Sequence, residues 1–304
     1  GRIKSPKKTL KPLFRSSVPV TAMRTATSLV GTLIAVILPA RLVYYGMGSS
    51  AAVGEFGKIY GMAFPLVSMP STLIGSLAVV LVPELSSNYY SAKYATLRNN
   101  IEKAVKFSVF VACLAIPVFL SLGREIGVFL YDDETAGTYV VKAAAMMLPL
   151  SLTIITTSML NSLGKEKTTL LYYLIGASLM LLCIYFLPKY LGVNALIVGM
   201  AVSYVVSCGL NLILLRRVSP VKPRILSYIA TSVIFIAPSS ALGLFLKNLL
   251  FNRLPFAVAL IFCIAVVGVF QFALFAVFGM TDFSEKLRQN VVRRNNDKRV
   301  SGRA

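Results

Sequence analysis

Long apolar stretches follow one another along almost the whole chain and are separated by short polar loops. Eight can be distinguished, at residues 18–45, 59–82, 104–122, 139–163, 168–187, 193–215, 225–246 and 254–279. Each is close to the ~20 residues that a helix needs to cross the hydrocarbon core of a bilayer. An uninterrupted run such as 196–215 excludes the alternating pattern of a β-barrel strand. The pattern predicts an all-α integral membrane protein with about eight transmembrane helices.

Composition agrees with this class. Hydrophobic residues make up 57% of the chain, which is too apolar for a water-soluble protein of this size. The net charge of +20 comes mostly from basic residues in loops and tails, which favours contact with membrane lipids and argues against nucleic acid as a partner. The cysteines all lie inside apolar stretches without metal-ligand spacing, so we interpret them as small hydrophobic residues: Cys113, Cys183, Cys208 and Cys263.

The distribution of basic residues predicts an orientation. If the N-terminus faces the cytoplasm, 23 of the 31 basic residues fall on that side. The opposite side receives only five, together with the acidic run Asp132, Asp133 and Glu134. Cytoplasmic loops of membrane proteins carry the excess of lysine and arginine. We therefore expect a multi-pass protein of the bacterial cytoplasmic membrane with both ends of this segment in the cytoplasm.

The first apolar stretch contains a polar stripe with an arginine beside it. Thr21, Thr25, Ser28 and Thr32 follow one another at steps of three or four and share a helical face, and Arg24 lies on or next to that face. An arginine at the bilayer centre costs ~2.5–3.5 kcal/mol on insertion scales, so it should face a water-filled cavity or an anion. The alternative is that Arg24 snorkels to the headgroups. We favour a substrate-binding cavity.

The second apolar stretch is interrupted by Pro65 and Pro70. Two prolines this close bend a helix and free backbone carbonyls, which predicts a hinge; simple kinked packing is the alternative. Ser68 and Thr72 share a face near this bend and are predicted to line the same cavity as Arg24.

Other polar residues are more typical of helix packing. Gly199, Ser203, Ser207 and Asn211 recur every four residues in the sixth stretch, where small residues usually mark a close helix–helix contact. Gln271 is a single polar residue in the last stretch and is predicted to form an interhelical hydrogen bond.

The residue types that are missing limit the chemistry. No predicted span contains aspartate or glutamate in its interior, and the chain contains no histidine. This excludes a Ser–His pair and a histidine-based metal site, and no phosphate-binding or dinucleotide motif is present. We expect a protein that is not an enzyme and that uses no cofactor or metal.

Several short motifs occur in an order that resembles a known family. They are VPVTAMR at 18–24, LPARL at 38–42, YG at 45–46, FGKIYGMAFPL at 56–66, MP at 69–70, LVPELS at 81–86 and NSLGK at 161–165. Over residues 12–217 the chain resembles the stage V sporulation protein B group. These are polysaccharide-biosynthesis transporters of the multidrug/oligosaccharidyl-lipid/polysaccharide (MOP) exporter superfamily.

The resemblance implies a MATE-like fold of fourteen helices, with two six-helix lobes around a central cavity. The chain would then comprise a basic cytoplasmic linker (1–17), the second six-helix lobe (18–217), two additional helices (218–279) and a basic cytoplasmic tail (280–304). The N-terminal six-helix lobe would be missing from this chain, as the C-terminal part of a longer transporter or a split gene product. A complete eight-helix protein is the alternative.

In related lipid II flippases, cavity arginines bind the pyrophosphate of the substrate, and Arg24 matches such a position in its motif. A guanidinium is always charged and suits a diphosphate. We therefore expect export of an undecaprenyl-pyrophosphate-linked oligosaccharide or peptidoglycan precursor by alternating access. The alternatives are a cation-coupled multidrug antiporter of the same superfamily and a non-transporting scaffold for cell-wall or spore-envelope synthesis, with a membrane transferase the weakest.

Overall fold

The computed structural model describes residues 6–218 and 225–278. Residues 1–5, 219–224 and 279–304, which include the predicted basic tail and part of the loop before the seventh stretch, lie outside the described residues. The described ranges contain helices, turns and bends but no strand. The α-helices are α1 (Pro6–Tyr44), α2 (Ser49–Gly57), α3 (Phe64–Ser68), α4 (Ser71–Tyr90), α5 (Tyr94–Tyr131), α6 (Glu134–Ala143), α7 (Met147–Ser162), α8 (Glu166–Phe186), α9 (Pro188–Leu191), α10 (Asn194–Val218), α11 (Ile225–Ile234), α12 (Ile236–Leu250) and α13 (Phe256–Val277).

Seven described helices are long and apolar enough to cross a membrane, and the bent pair Ser49–Ser68 and Ser71–Tyr90 makes an eighth span if it is counted as one. The prediction of an all-α integral membrane protein is confirmed. Two further predicted spans are composite. The fourth consists of α6, a short 3₁₀ segment (Ala144–Met146) and α7, and the seventh consists of α11 and α12.

Two helices extend well beyond their predicted apolar stretches. α1 begins at Pro6, inside the segment predicted as a basic linker, and α5 begins at Tyr94 and ends at Tyr131, whereas the predicted span was 104–122. In α5 the added first turns carry charges that pair along the helix, as in the Arg98–Glu102 contact of 2.8 Å. Such i,i+4 pairs stabilise a helix in water. The charged residues therefore interrupt the apolar pattern, but the helix continues through them.

The small residues of α10 pack against α8, as the sequence predicted. An added Cβ on Gly176 of α8 would meet Ser203 and Ser207 of α10, and one on Gly199 would lie 3.2 Å from a backbone oxygen of α8. One turn further on, the Asn211 amide donates a 2.9 Å hydrogen bond to Thr157 Oγ1 of α7. The close approach of these helices therefore depends on small side chains and on a polar contact, as is usual within membranes.

Buried apolar side chains form two clusters, one towards each end of the helix bundle. One gathers the C-terminal halves of α1 and α5 with α6 and the start of α10, and the other gathers the start of α5 with α4, α7 and the end of α10. We call these ends the Asp133 end and the Lys93 end, after the loops that precede α6 and α5. Segments predicted to share a membrane face meet at the same end, as in the 2.9 Å contact between Lys142 and Asn194. Which end faces the cytoplasm stays a prediction.

Candidate functional site

The middle of α1 lines an open cavity of about 670 Å³. Six of the lining residues come from α1 and one comes from the π-helical segment (Lys58–Ala63) that follows α2. They are Arg24, Thr27, Ser28, Gly31, Thr32, Ala35 and Tyr60. The cavity thus combines an arginine and four hydroxyl groups along a helix that is otherwise rich in apolar residues.

Arg24 supplies the positive charge of this cavity. Its side chain is exposed, and within the described part of the chain no carboxylate forms an ion pair with its guanidinium. An arginine without a counter-ion, at a membrane helix, attracts an external anion. The planar guanidinium can donate two parallel hydrogen bonds to carboxylate or phosphate oxygens.

The hydroxyl groups of the cavity divide into two kinds. Thr27 and Thr32 donate their protons to backbone oxygens one turn earlier, at 2.8 Å and 3.0 Å. Their oxygens can still accept a hydrogen bond from a ligand. In contrast, the hydroxyls of Ser28 and Tyr60 form no hydrogen bond with any residue that the structure describes, so their protons are available to a ligand.

The structure brings together only part of the predicted site. Arg24 and Ser28 line the cavity, with Thr32 of the same predicted stripe. Thr21 and Thr25 are exposed on α1 and are not among the lining residues. Ser68 and Thr72 are also outside the lining, and their hydroxyls bond to the backbone oxygens of Pro65 and Met69 at 3.1 Å and 2.8 Å. Those two hydroxyls therefore donate hydrogen bonds to backbone carbonyls beside the bend.

Sequence reasoning missed the residues Thr27, Gly31, Ala35 and Tyr60. The first three extend the face of Arg24 and Ser28 at helical spacing, so a stripe centred on the arginine would have found them. Tyr60 lies 36 residues from Arg24 in the chain and is brought to the cavity by packing of the π-helical segment near Gly31, whose added Cβ would lie 3.3 Å from the tyrosine hydroxyl. No local pattern predicts that contact.

Tyr60 is held in place on both sides of its ring. Phe56 stacks on it at a centroid distance of 5.4 Å, and Phe64 at 6.1 Å, with nearly parallel planes. Two residues before Tyr60, Lys58 forms a 2.9 Å ion pair with Asp133, which connects the π-helical segment to the turn before α6. Because both ring faces are covered, Tyr60 presents its hydroxyl edge to the cavity. Single π-helical turns of this kind are frequent at functional sites.

The predicted hinge coincides with a bend. α3 ends at Ser68 and α4 begins at Ser71, and the two halves of this span meet at 53°. Pro65 lies in the first turn of α3 and Pro70 in the break itself, where the missing N–H and fixed φ interrupt the helix. Whether the bend moves during function stays a prediction.

The ion pair at the Asp133 end belongs to a small polar network. Asp133 caps α6 by accepting a 2.8 Å hydrogen bond from the N–H of Ala136. This bond, followed by the contact with Lys58, lowers the pKa of the Asp133 carboxyl below its ordinary value. Glu55 contacts Lys58 at 3.5 Å and accepts a hydrogen bond from Tyr139. The network joins α2, the π-helical segment and α6 at one end of the molecule.

A largely buried acidic residue lies in the part of α5 that extends beyond the predicted span of 104–122. Glu125 is six residues before the end of α5 and forms an ion pair with Lys247 of α12, with 12% of the glutamate side chain exposed. The predicted span ended at residue 122, so Glu125 falls outside it, and its pairing with α12 was not predicted. Next to the pair, Ser121 packs against Gly243 of α12.

Comparison with curated proteins places the chain beside two relatives. Over 146 residues, which are 48% of this chain and 28% of the relative, it is 23% identical to Stage V sporulation protein B of Bacillus subtilis (strain 168). Over 101 residues, which are 33% of this chain and 22% of the relative, it is 28% identical to sporulation protein YkvU of the same organism. The chain is similar to sporulation proteins. No family model matches it. These findings confirm the resemblance seen in the motifs, and the matched segments cover about a quarter of each relative.

Proposed function

We propose that the protein takes part in exporting a lipid-linked, anionic saccharide precursor, as an undecaprenyl-pyrophosphate-linked oligosaccharide or peptidoglycan precursor flippase. One observation supports this most directly, namely the guanidinium of Arg24, which has no ion-pair partner among the described residues and lies in a cavity with four hydroxyl groups along a transmembrane helix. A flippase must carry a charged headgroup past hydrocarbon while the lipid tail remains in the bilayer. An open cavity along a helix that otherwise exposes apolar side chains, such as Leu29 and Val36, suits that task.

The residues that line the cavity form only one side of the proposed transport pathway. α1 packs on α2, α8 and α9 and leaves the Arg24 side open. In our proposal a six-helix lobe, N-terminal to residues 1–304, supplies the facing wall, and the two lobes rock around the bend at Pro70. The predicted orientation places Arg24 near the cytoplasmic face, where a precursor made inside the cell would enter. The length of the matched relatives beyond the matched segments is compatible with such a lobe.

The pairing of Glu125 argues for a transporter of anions over the antiporter alternative. A cation-coupled exporter needs a carboxylate that is free to bind the cation. The Glu125 carboxylate is paired with Lys247, and Glu125 is not among the lining residues of the cavity. The pair of Glu125 and Lys247 is therefore better suited to hold two helices together than to couple transport to a cation.

Substitution of Arg24 tests the proposal. We expect Arg24→Ala to lower transport at least tenfold, since a charge-assisted hydrogen bond contributes about 1.5–3 kcal/mol. Arg24→Lys should be intermediate because it keeps the charge and loses the forked geometry. The measurement is translocation of lipid-linked precursor in proteoliposomes, or rescue of a flippase-deficient strain, at equal expression.

Two results would contradict this use of Arg24. Wild-type transport by Arg24→Ala would show that the guanidinium does not contact substrate. Full activity of Arg24→Lys would indicate snorkelling to the headgroups, where either cation serves. Arg217→Ala, which removes an exposed basic residue at the end of α10, is the matched control and should transport like the wild type.

A further inference from the structure

The cavity offers a ligand both hydrogen-bond donors and acceptors. Arg24, Ser28 and Tyr60 present N–H and O–H groups that have no partner among the described residues. Thr32, whose own proton goes to the Ser28 carbonyl at 3.0 Å, presents a hydroxyl oxygen that can only accept. Thr27 is committed in the same way, to Met23.

This mixture does not match a diphosphate alone. Phosphate oxygens are acceptors, so a site for the bare anion needs donors only, and a hydroxyl that has given its proton to the backbone repels them. A polyhydroxylated ligand uses both kinds of group, because each sugar hydroxyl donates once and accepts up to twice. The donor-only part of the cavity is at Arg24, and the mixed part begins one turn further along α1.

The part of the cavity that presents both donors and acceptors is also held in place by packing. The ring of Tyr60 is fixed between Phe56 and Phe64, and its hydroxyl lies where a Cβ on Gly31 would approach to 3.3 Å. Gly31 follows Arg24 by seven residues, which at 1.5 Å per residue separates their backbones by about 10 Å along α1. A preorganised hydroxyl about two helical turns from Arg24 along α1 is suited to a group attached directly to the phosphate.

We infer that the hydroxyls of Tyr60 and Ser28, with the acceptor oxygen of Thr32, form a saccharide subsite that reads the first sugar of a lipid-linked diphosphate held at Arg24. The inference rests on the proposed function and makes it specific, since it assigns separate residues to the two parts of the headgroup. Gly31 is a specificity-determining residue because any larger side chain would displace the Tyr60 hydroxyl.

A direct binding measurement tests the inference independently of transport. The full-length protein in nanodiscs is titrated with two probes, undecaprenyl pyrophosphate without sugar and undecaprenyl pyrophosphate carrying a disaccharide. We expect the wild type to prefer the glycosylated probe by at least tenfold. Tyr60→Phe keeps the stacked ring and removes one hydroxyl, and should reduce this preference about three- to tenfold without changing affinity for the bare diphosphate.

The other variants separate the two parts of the site. Gly31→Ala should also reduce the preference, whereas Arg24→Ala should weaken both probes alike. Tyr94→Phe in the first turn of α5 and Gly268→Ala in α13, where an added Cβ meets no atom within 4 Å, are controls that should keep the wild-type preference.

Equal affinity of the wild type for the two probes would overturn the saccharide subsite and leave the proposed transport of a diphosphate intact. An unchanged preference in both Tyr60→Phe and Gly31→Ala would also overturn it. Binding of neither probe would overturn the proposed function itself. These outcomes are distinguishable in one set of titrations, and correct folding of each variant is checked by its elution volume in size-exclusion chromatography.

Discussion

The cavity along α1 and the contacts around α5 both place polar groups among apolar helices, but they treat those groups differently. Around α5, Glu125 pairs with Lys247 of α12, and within the same bundle Ser239 of α12 hydrogen-bonds with Gln271 of α13 while both are fully buried. Along α1, the guanidinium of Arg24 and the hydroxyl of Ser28 have no such partner in the described chain. The contacts of Glu125 and Gln271 join neighbouring helices, whereas in our proposal the groups along α1 bind a ligand.

The two regions also differ in how closely their helices approach each other. α5 and α6 approach so closely that an added Cβ on Gly127 would overlap the backbone of Gly137, and one on Gly137 would overlap the backbone of Arg124. At the cavity, the Cβ of a residue replacing Gly31 would meet only the tip of a side chain, the hydroxyl of Tyr60. The glycine in α5 is therefore required for close helix packing, whereas the glycine in α1 leaves room for the hydroxyl of Tyr60.

The largest expected effect comes from Gly127→Ala. Because the added methyl group meets backbone atoms that cannot move away, α5 and α6 must separate, at a cost of the order of 1–3 kcal/mol or more. We expect loss of the monodisperse peak in fluorescence-detected size-exclusion chromatography and a clearly lower thermal midpoint. Gly31→Ala should remain folded under the same conditions. A Gly127→Ala protein as stable as the wild type would remove the contrast between the two regions.

A smaller effect is expected from breaking the pair between α5 and α12. Lys247→Met leaves the Glu125 carboxylate without its partner, and the loss should fall below the about 3–5 kcal/mol of a fully buried pair, since Lys247 is 28% exposed. The double variant Glu125→Gln/Lys247→Met should recover most of the stability, because no charge remains buried. Thermal inactivation in detergent measures both. A double variant as unstable as the single one would show that the pair does not act as a unit.

The smallest effect concerns the cap at the Asp133 end. Asp133→Ala removes the N-cap of α6 and should lower stability by about 0.5–2 kcal/mol. Because the pKa of this carboxyl is lowered in the folded protein, its charge stabilises the fold above the ordinary pKa of about 3.9. That stabilisation is lost as the pH falls through the lower, folded-state value.

The same residue offers a matched variant for the pH effect. Asp133→Asn keeps an acceptor for the N–H of Ala136 and lacks the titrating charge, so its thermal midpoint should fall less steeply than that of the wild type as the pH drops below about 4. Parallel pH profiles for the two proteins would assign the stability of this turn to the hydrogen bond alone.

Local patterns predicted much of the fold. The apolar stretches gave the number of spans, and the interhelical hydrogen bond of Gln271 and the packing face of Ser203 and Ser207 were confirmed. These features depend on residues within one helix and on the general rule that isolated polar groups in membranes find partners. Glu125 was missed because the predicted span ended where Arg124 and Glu125 interrupt the apolar run, although the helix continues to Tyr131.

The candidate site was predicted less completely. Arg24 and Ser28 were found because their residue types stand out in an apolar helix. The sequence did not show that Ser68 and Thr72 satisfy the carbonyls of their own bent backbone, since this depends on the bend itself. Tyr60 was missed because its approach to Gly31 is a tertiary contact and because it lies in a π-helical segment, where the ordinary spacing of helix faces does not apply.

That segment also changes how the sequence around it can be compared with others. A π-helical turn closes its hydrogen bonds at i→i+5, so Lys58–Ala63 contains one residue more than the α-helical path would use. At 3.6 residues per α-helical turn, one residue corresponds to about 100° of rotation. The faces of α2 and α3 are therefore out of phase with each other. An alignment with a relative that lacks this turn needs a single-residue gap here, and without that gap every position up to the break at Pro70 would be assigned to the wrong side of the helix.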